Sequence, residues 1–151
     1  MVQASVHADI VAAAIAEFGE TFAKPGEGII ALSGIAFGAS CAHDGDPFTG
    51  TVSIAYEPAE MICGLGGFAR AVATLTSIPQ LQEQLGQDLV DAINGALSAK
   101  GVLVQIDAHH ECLSSRVASA IDSRLRTVTF SGSLADDSAR LSAMLLLAGG
   151  A

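Results

Sequence analysis

Leu81, Leu85, Leu89, Ile93 and Leu97 recur every four residues, which places all five on one side of a helix and obliges the chain to cover that side with another apolar surface. Strands flank this stripe in the sequence. Residues 51–56 alternate, with Val52, Ile54 and Tyr56 on one face and Thr51, Ser53 and Ala55 on the other, the period of a half-buried strand. Residues 29–39 read as a second strand, weakened by Gly34 and Gly38, while 102–108 and about 127–133 supply two more.

Helix signals fill the gaps between them. Ser77 and Gln80 have capping-box spacing and Pro79 suits a first turn, so the striped helix is predicted to open near Ser77 and to stop at Gly101. Residues 66–75 are helical just before it. An N-terminal amphipathic helix is predicted over 8–23 through Ile10, Ala14, Phe18 and Phe22, ended by Pro25-Gly26-Glu27-Gly28, and a C-terminal helix from Asp136 or Asp137 to Leu147. The order α-β-β-α-α-β-β-α predicts an α+β fold with two consecutive helices between antiparallel strand pairs.

The 151 residues suit one domain, 1–151, with a core over 29–147. Half of the residues are hydrophobic and only 15% are charged. Such a surface is short of polar cover, which predicts a homo-oligomer whose interfaces hide the surplus. Net charge is -9 against seven basic residues with no basic cluster, so nucleic acid is not a predicted partner. Neither a basic leader nor a run of about 18 apolar residues is present, so no membrane partner and a cytoplasmic location are predicted. Three cysteines make no disulfide framework and point instead to metal ligation, catalysis or packing.

Two clusters seventy residues apart concentrate the reactive side chains, Cys41-Ala42-His43-Asp44 and His109-His110-Glu111-Cys112. Thiolate, imidazole and carboxylate are the ligand set of zinc, and a catalytic zinc takes three protein ligands with a fourth position open. On an extended chain His110 and Cys112 leave the same face. Cys41 and Asp44 can converge if the chain turns between them, which Gly45 and Pro47 favour. Thiolates would select zinc over magnesium or calcium, and the remaining histidines would exchange protons. The competing reading makes both cysteines small buried hydrophobes and the histidines loop residues.

Longer stretches add a resemblance. Cys41-Ala42-His43-Asp44-Gly45-Asp46-Pro47-Phe48-Thr49-Gly50, Ile54-Ala55-Tyr56-Glu57-Pro58, Gly64-Leu65, Arg70, Pro79-Gln80-Leu81-Gln82-Glu83 and Asp107-Ala108-His109-His110-Glu111-Cys112 with Arg116 resemble GTP cyclohydrolase I. The resemblance covers about residues 29–147. It implies the tunnelling fold (T-fold), whose subunits assemble into an oligomeric β-barrel with active sites between subunits. It also implies zinc as cofactor, held by Cys41, Cys112 and, in place of the family's histidine ligand, Asp44 or the neighbouring His43. His43 and His110 match proton-handling histidines, Gln82 and Glu83 the segment that recognises a guanine or pterin edge, and Arg70 and Arg116 phosphate-contacting arginines.

Two departures from the family pattern bear on the chemistry. Asp44 adds negative charge beside a metal and weakens it as a Lewis acid. Gly66-Gly67 stands where the family has a Ser-Lys pair near the phosphates, which predicts that phosphate-poor ligands compete well with GTP. The functional expectation is a zinc-dependent enzyme with hydrolytic or ring-remodelling action on a guanine- or pterin-like heterocycle. The alternatives are a metal-free enzyme resembling 7-cyano-7-deazaguanine reductase, with Cys41 as nucleophile, and a non-catalytic oligomeric purine- or pterin-binding protein.

Overall fold

The computed structural model describes residues 2–149, with side chains from residue 4. In chain order the elements are α1 Val2–Ala16, β1 Thr21–Ala23, β2 Ile30–Ser40, β3 Pro47–Glu57, β4 Met61–Cys63, α2 Gly66–Leu75, α3 Gln82–Leu97, β5 Gly101–His110, α4 Glu111–Ser114, β6 Leu125–Gly132 and α5 Asp137–Ala148. The strands β2-β3-β5-β6 form one open antiparallel sheet in that order, and β1 pairs with β4 as a separate two-stranded ribbon. Among the described residues no helix is long and apolar enough to cross a membrane.

Alternation along the central strands explains the layers. Val52, Ile54 and Tyr56 of β3 and Val102, Val104 and Ile106 of β5 pack with Phe68, Val72 and Leu75 of α2 and Leu85, Leu89, Ile93 and Leu97 of α3 in the main core. The intervening Ala55 and Leu103 face the other way, into a smaller cluster with Leu134 and with Ala143 and Leu147 of α5. One sheet thus carries helices on both faces, and the alternation read from the sequence sorts the two cores. Gly50 of β3 lies so close to the Asp107 carbonyl of β5 that a Cβ there would overlap it, so the end of the sheet nearest the reactive clusters admits no side chain at this position.

Two predicted helix boundaries move. The N-terminal helix, expected over 8–23, ends at Ala16; Gly19 turns the chain at φ 64°, and residues 21–23 become a strand. Phe18 folds back edge-on against Phe68, 5.2 Å between ring centroids, instead of extending the helix. The striped helix, expected to open at Ser77, opens at Gln82. The capping box does not form, because the Ser77 hydroxyl donates to the Thr74 carbonyl at the end of α2 (2.6 Å) and Gln80 is taken inward. Gln80 bridges Cys41 through its backbone, and its amide donates to the Leu75 carbonyl (3.0 Å) and to Asp88 (3.1 Å). Leu81 is therefore outside the buried stripe, 44% exposed, while Leu85, Leu89 and Ile93 are fully buried.

Asp88 is a buried carboxylate that ties three segments together. It accepts from Gln80, from Gln84 (2.7 Å) and from His7 of α1 (2.8 Å), so its charge is balanced by oriented donors rather than by water.

Tyr56 gives a clean optical check of the core. It is the single tyrosine of a chain without tryptophan and is 2% exposed. Burial, reinforced by the neighbouring Cys63, pushes its pKa up to about 12. The fold favours the neutral phenol, so this contribution to stability is present below about pH 10, the unfolded value, and is lost as pH rises through about 12. Tyrosinate absorbance during a pH titration is expected to show a midpoint about 2 units higher in the native protein than in denaturant; a native midpoint near 10 would contradict the buried position.

Candidate active site

The pairing of β3 with β5 closes the seventy-residue gap between the two clusters. Its register sets Phe48 opposite His110 and Thr49 opposite His109, while Cys41 is joined to Gln80 just ahead of α3. Three segments distant in sequence therefore meet at one corner of the sheet: the β2–β3 turn, the start of α3 and the junction of β5 with α4.

The β2–β3 turn is held by its own backbone. Gly45 N donates to the Cys41 carbonyl (2.8 Å), Cys41 N donates to the Asp46 carbonyl (2.8 Å), and Gly45 adopts φ 80°, which favours glycine. Asp44 closes the turn by accepting from Asp46 N (3.0 Å). That backbone bond holds the Asp44 carboxyl below its usual range against the opposing effect of burial, helped by a hydrogen bond from Cys41, by Arg116 and by His43. Cys41 itself is buried. His43 is 82% exposed, its Nδ1 3.8 Å from Asp44.

His110 is the most constrained group of the corner. Its ring stacks on Phe48 at 4.6 Å with 6° between planes, and its Nε2 lies 2.7 Å from Gln82 Oε1. Gln82 is 1% exposed, and its amide nitrogen donates to the carbonyls of Ile106 (3.2 Å) and Leu125 (3.0 Å) and toward Thr127 Oγ1 (3.2 Å). Those carbonyls fix which end of the amide is oxygen, so Nε2 of His110 must be the donor and Nδ1 is left to accept a proton. Burial lowers the His110 pKa, opposed by the negative charges of Glu83 and Asp44 and aided by His109. Glu83, exposed in the first turn of α3, is thus a neighbour of the imidazole.

Cys112 lies in α4 rather than on a continued strand, so the shared face with His110 expected for extended chain does not form. Its thiol pKa is raised by burial and by the charges of Asp44, Cys41 and Asp46. Arg116 closes this side, 3.6 Å from Asp44 and 3.1 Å from Asp46. Arg70 is elsewhere: it donates to the Glu17 carbonyl at the end of α1 (3.0 and 3.3 Å) and pairs with the Glu17 carboxylate at 3.6 Å.

Of the residues expected from the sequence, the corner thus gathers Cys41, Asp44, Gln82, Glu83, His110, Cys112 and Arg116, with His43 at its edge and Arg70 outside it. Gln82, expected at the ligand, has its amide engaged inside the subunit, where it holds His110. Phe48 and Asp46 are added as the stacking partner of His110 and the second partner of Arg116. Both stand in the stretch from Cys41 to Gly50 that carries the family resemblance, but no role was attached to either, because their partners come from β5 and from beyond α4.

Among the described residues no group of three or more His, Cys, Asp or Glu side chains is arranged to hold a metal ion. The donor chemistry nonetheless fits zinc, because two thiols and a carboxylate lie at this corner, with Asp44 and Cys41 close enough to act on the Cys112 thiol. The three donors are gathered without being in coordination geometry, and the Asp44 carboxylate is currently shared between a backbone N–H and Arg116.

A family model described as GTP cyclohydrolase I matches residues 2–148. Similar relatives include a GTP cyclohydrolase 1 of Streptococcus pyogenes, 38% identical over 117 residues, covering 77% of this chain and 60% of the relative. Another, from Leifsonia xyli, is 34% identical over 122 residues, covering 81% and 64% respectively. The chain spans less than two-thirds of the length of both relatives. A crystal structure of the archaeosine synthase QueF-Like in the apo form is similar in fold, with a TM-score of 0.50 at 20% identity, covering 72% of this chain and 96% of that one. The match along nearly the whole chain agrees with the sheet, the paired helices and the corner where the two clusters meet, and this tunnelling-fold chain belongs to the GTP cyclohydrolase I family.

Proposed function

We propose that the chain is a GTP cyclohydrolase I-like hydrolase that opens or remodels a guanine- or pterin-like heterocycle at this corner. The observation that carries the reading is His110, immobilised by Phe48 and Gln82 with Nδ1 free to accept, beside both the Glu83 carboxylate and the Cys41–Asp44–Cys112 donors. Glu83 binds the ring N–H and exocyclic amino group of the ligand as a bidentate acceptor. His110 takes and returns the proton at Nδ1 as the ring is hydrated and opened, and the exposed His43 exchanges protons with solvent. Gln82 acts through His110 by fixing its tautomer. Cys41, Cys112 and Asp44 would hold zinc, which supplies Lewis acidity for the hydrolytic step when bound.

Zinc content tests the ligand set. Protein purified without chelator is expected to carry close to one zinc per subunit by elemental analysis. Equal content in the wild type and in a Cys41→Ala, Cys112→Ala double variant would remove the assignment.

The Glu83 contact has its own test. A carboxylate receiving two donors in a dry pocket contributes about 1.5–3 kcal/mol per bond, and Glu83→Gln replaces one acceptor oxygen with an amide donor that would meet a donor on the ligand. Guanine-type binding or turnover is expected to fall at least a hundredfold with zinc content unchanged; retention within threefold would leave Glu83 as an ordinary first-turn carboxylate.

We further propose a homo-oligomer larger than a dimer with sites between subunits. In the isolated subunit β2 and β6 are the sheet edges, and β6 exposes Leu125, Val128 and Phe130, an apolar edge of the kind that pairs with another strand. Light scattering at micromolar concentration is expected to show the assembly, and a monodisperse monomer of 15.3 kDa would contradict it.

A further inference from the structure

We infer that the cleft between α1 and α3 is a second small-molecule site, which takes an organic cation with an amine or amidine head on a flat apolar body. Ala4, His7, Ala8 and Val11 follow helical spacing on one face of α1, and Gln84, Asp88 and Asp91 do the same on α3. The two helices pack tightly where Ile15 meets Gly95, since a Cβ on Gly95 would overlap the Ile15 side chain. At His7 and Asp88 the small side chains of Ala4 and Ala8 leave a gap. A cleft of about 490 Å³ opens there, with Ala42 and Leu81 also in its wall, a size that suits a small ligand.

The polar groups of this cleft are rich in acceptors. The Asp88 carboxylate, 1% exposed, accepts from His7 Nδ1 (2.8 Å), which leaves Nε2 as the acceptor of that ring. Asp91 adds a second carboxylate, exposed to solvent. The surrounding network is short of donors: Gln80 gives its amide nitrogen to the Leu75 carbonyl and to Asp88, and its Oε1 is buried without a partner. Among the described residues no lysine or arginine lines the cleft. An anion would therefore meet two carboxylates and no cation, whereas a ligand that brings positive charge and N–H donors matches what is there. Its apolar body would lie against Ala8, Val11, Ala42 and Leu81. Such contact covers Leu81, which is 44% exposed beside the buried stripe of its own helix.

The cleft is separate from the corner in its residues. Ala42 and Leu81 are chain neighbours of Cys41 and Gln82, but none of the side chains assigned to zinc or to the heterocycle lines it. The inference consequently stands apart from the proposed hydrolytic chemistry.

Calorimetric titration of the whole protein with benzamidine, benzamide and benzoate tests it, because the three share one shape and differ in charge. Benzamidine is expected to saturate at close to one per subunit and to bind at least tenfold more tightly than benzamide, with no saturable binding of benzoate. Ala8→Leu, at an exposed helical position that tolerates leucine, is expected to fill the cleft and weaken benzamidine at least tenfold. Asp91→Asn is expected to weaken it at least threefold, and Glu83→Gln to leave it unchanged. Circular dichroism of each variant checks that the fold is kept. Absence of saturable benzamidine binding, benzoate bound as well as benzamidine, or unchanged affinity in both Ala8→Leu and Asp91→Asn would each overturn the inference. Loss of benzamidine in Glu83→Gln alone would place the cation at the corner and overturn it equally.

Discussion

The register between β3 and β5 is the constraint on which both the core and the corner depend. Ten consecutive pairs, from Phe48–His110 to Glu57–Gly101, lock the two strands together. A slip of one residue would turn Val52, Ile54 and Tyr56 away from the helices and put Thr51, Ser53 and Ala55 in their place. The same slip would separate Phe48 from His110. Hydrophobic burial along the middle of the strands therefore fixes the position of a polar side chain at their end, and the site inherits its geometry from the core.

A second layer of precision comes from buried polar side chains around the start of α3. Gln82 reaches both β5 and β6 through the Ile106 and Leu125 carbonyls and still has an oxygen for His110. Asp88, two turns further on, gathers donors from α1 and from the segment before α3. Such groups are costly to bury unless satisfied, so each one strongly favours a single arrangement of the elements it joins. The helix carries Glu83 to the corner on a base held by the inward bonds of Gln82 to β5 and β6.

The acidic turn of the first cluster sets the electrostatics. Asp44 serves at once as turn-former and partner of Arg116. Where the family pattern has a neutral imidazole, this chain has a charge that must be balanced, and Arg116 supplies the balance.

Much of this was legible in the chain itself. Local periodicity determined the strands around Val52 and Val104, the helix at 66–75 and the buried stripe from Leu85 to Leu97, because burial of alternate or every-fourth residues leaves its mark on neighbouring positions. The two clusters and the family resemblance brought together Cys41, Asp44, Glu83, His110 and Cys112 as candidates. Only the tertiary structure decided what depended on distant partners. Ser77 lost its capping role because the end of α2 offered a carbonyl to its hydroxyl, Phe18 left the helix for Phe68, and Gln82 turned inward to carbonyls on two strands. Arg70 and Arg116, alike in sequence as candidate phosphate contacts, were separated by their partners, Glu17 for one and Asp44 with Asp46 for the other. A side chain's residue type fixes which bonds it can make, but which bonds it does make depends on groups that only folding brings within about 3 Å.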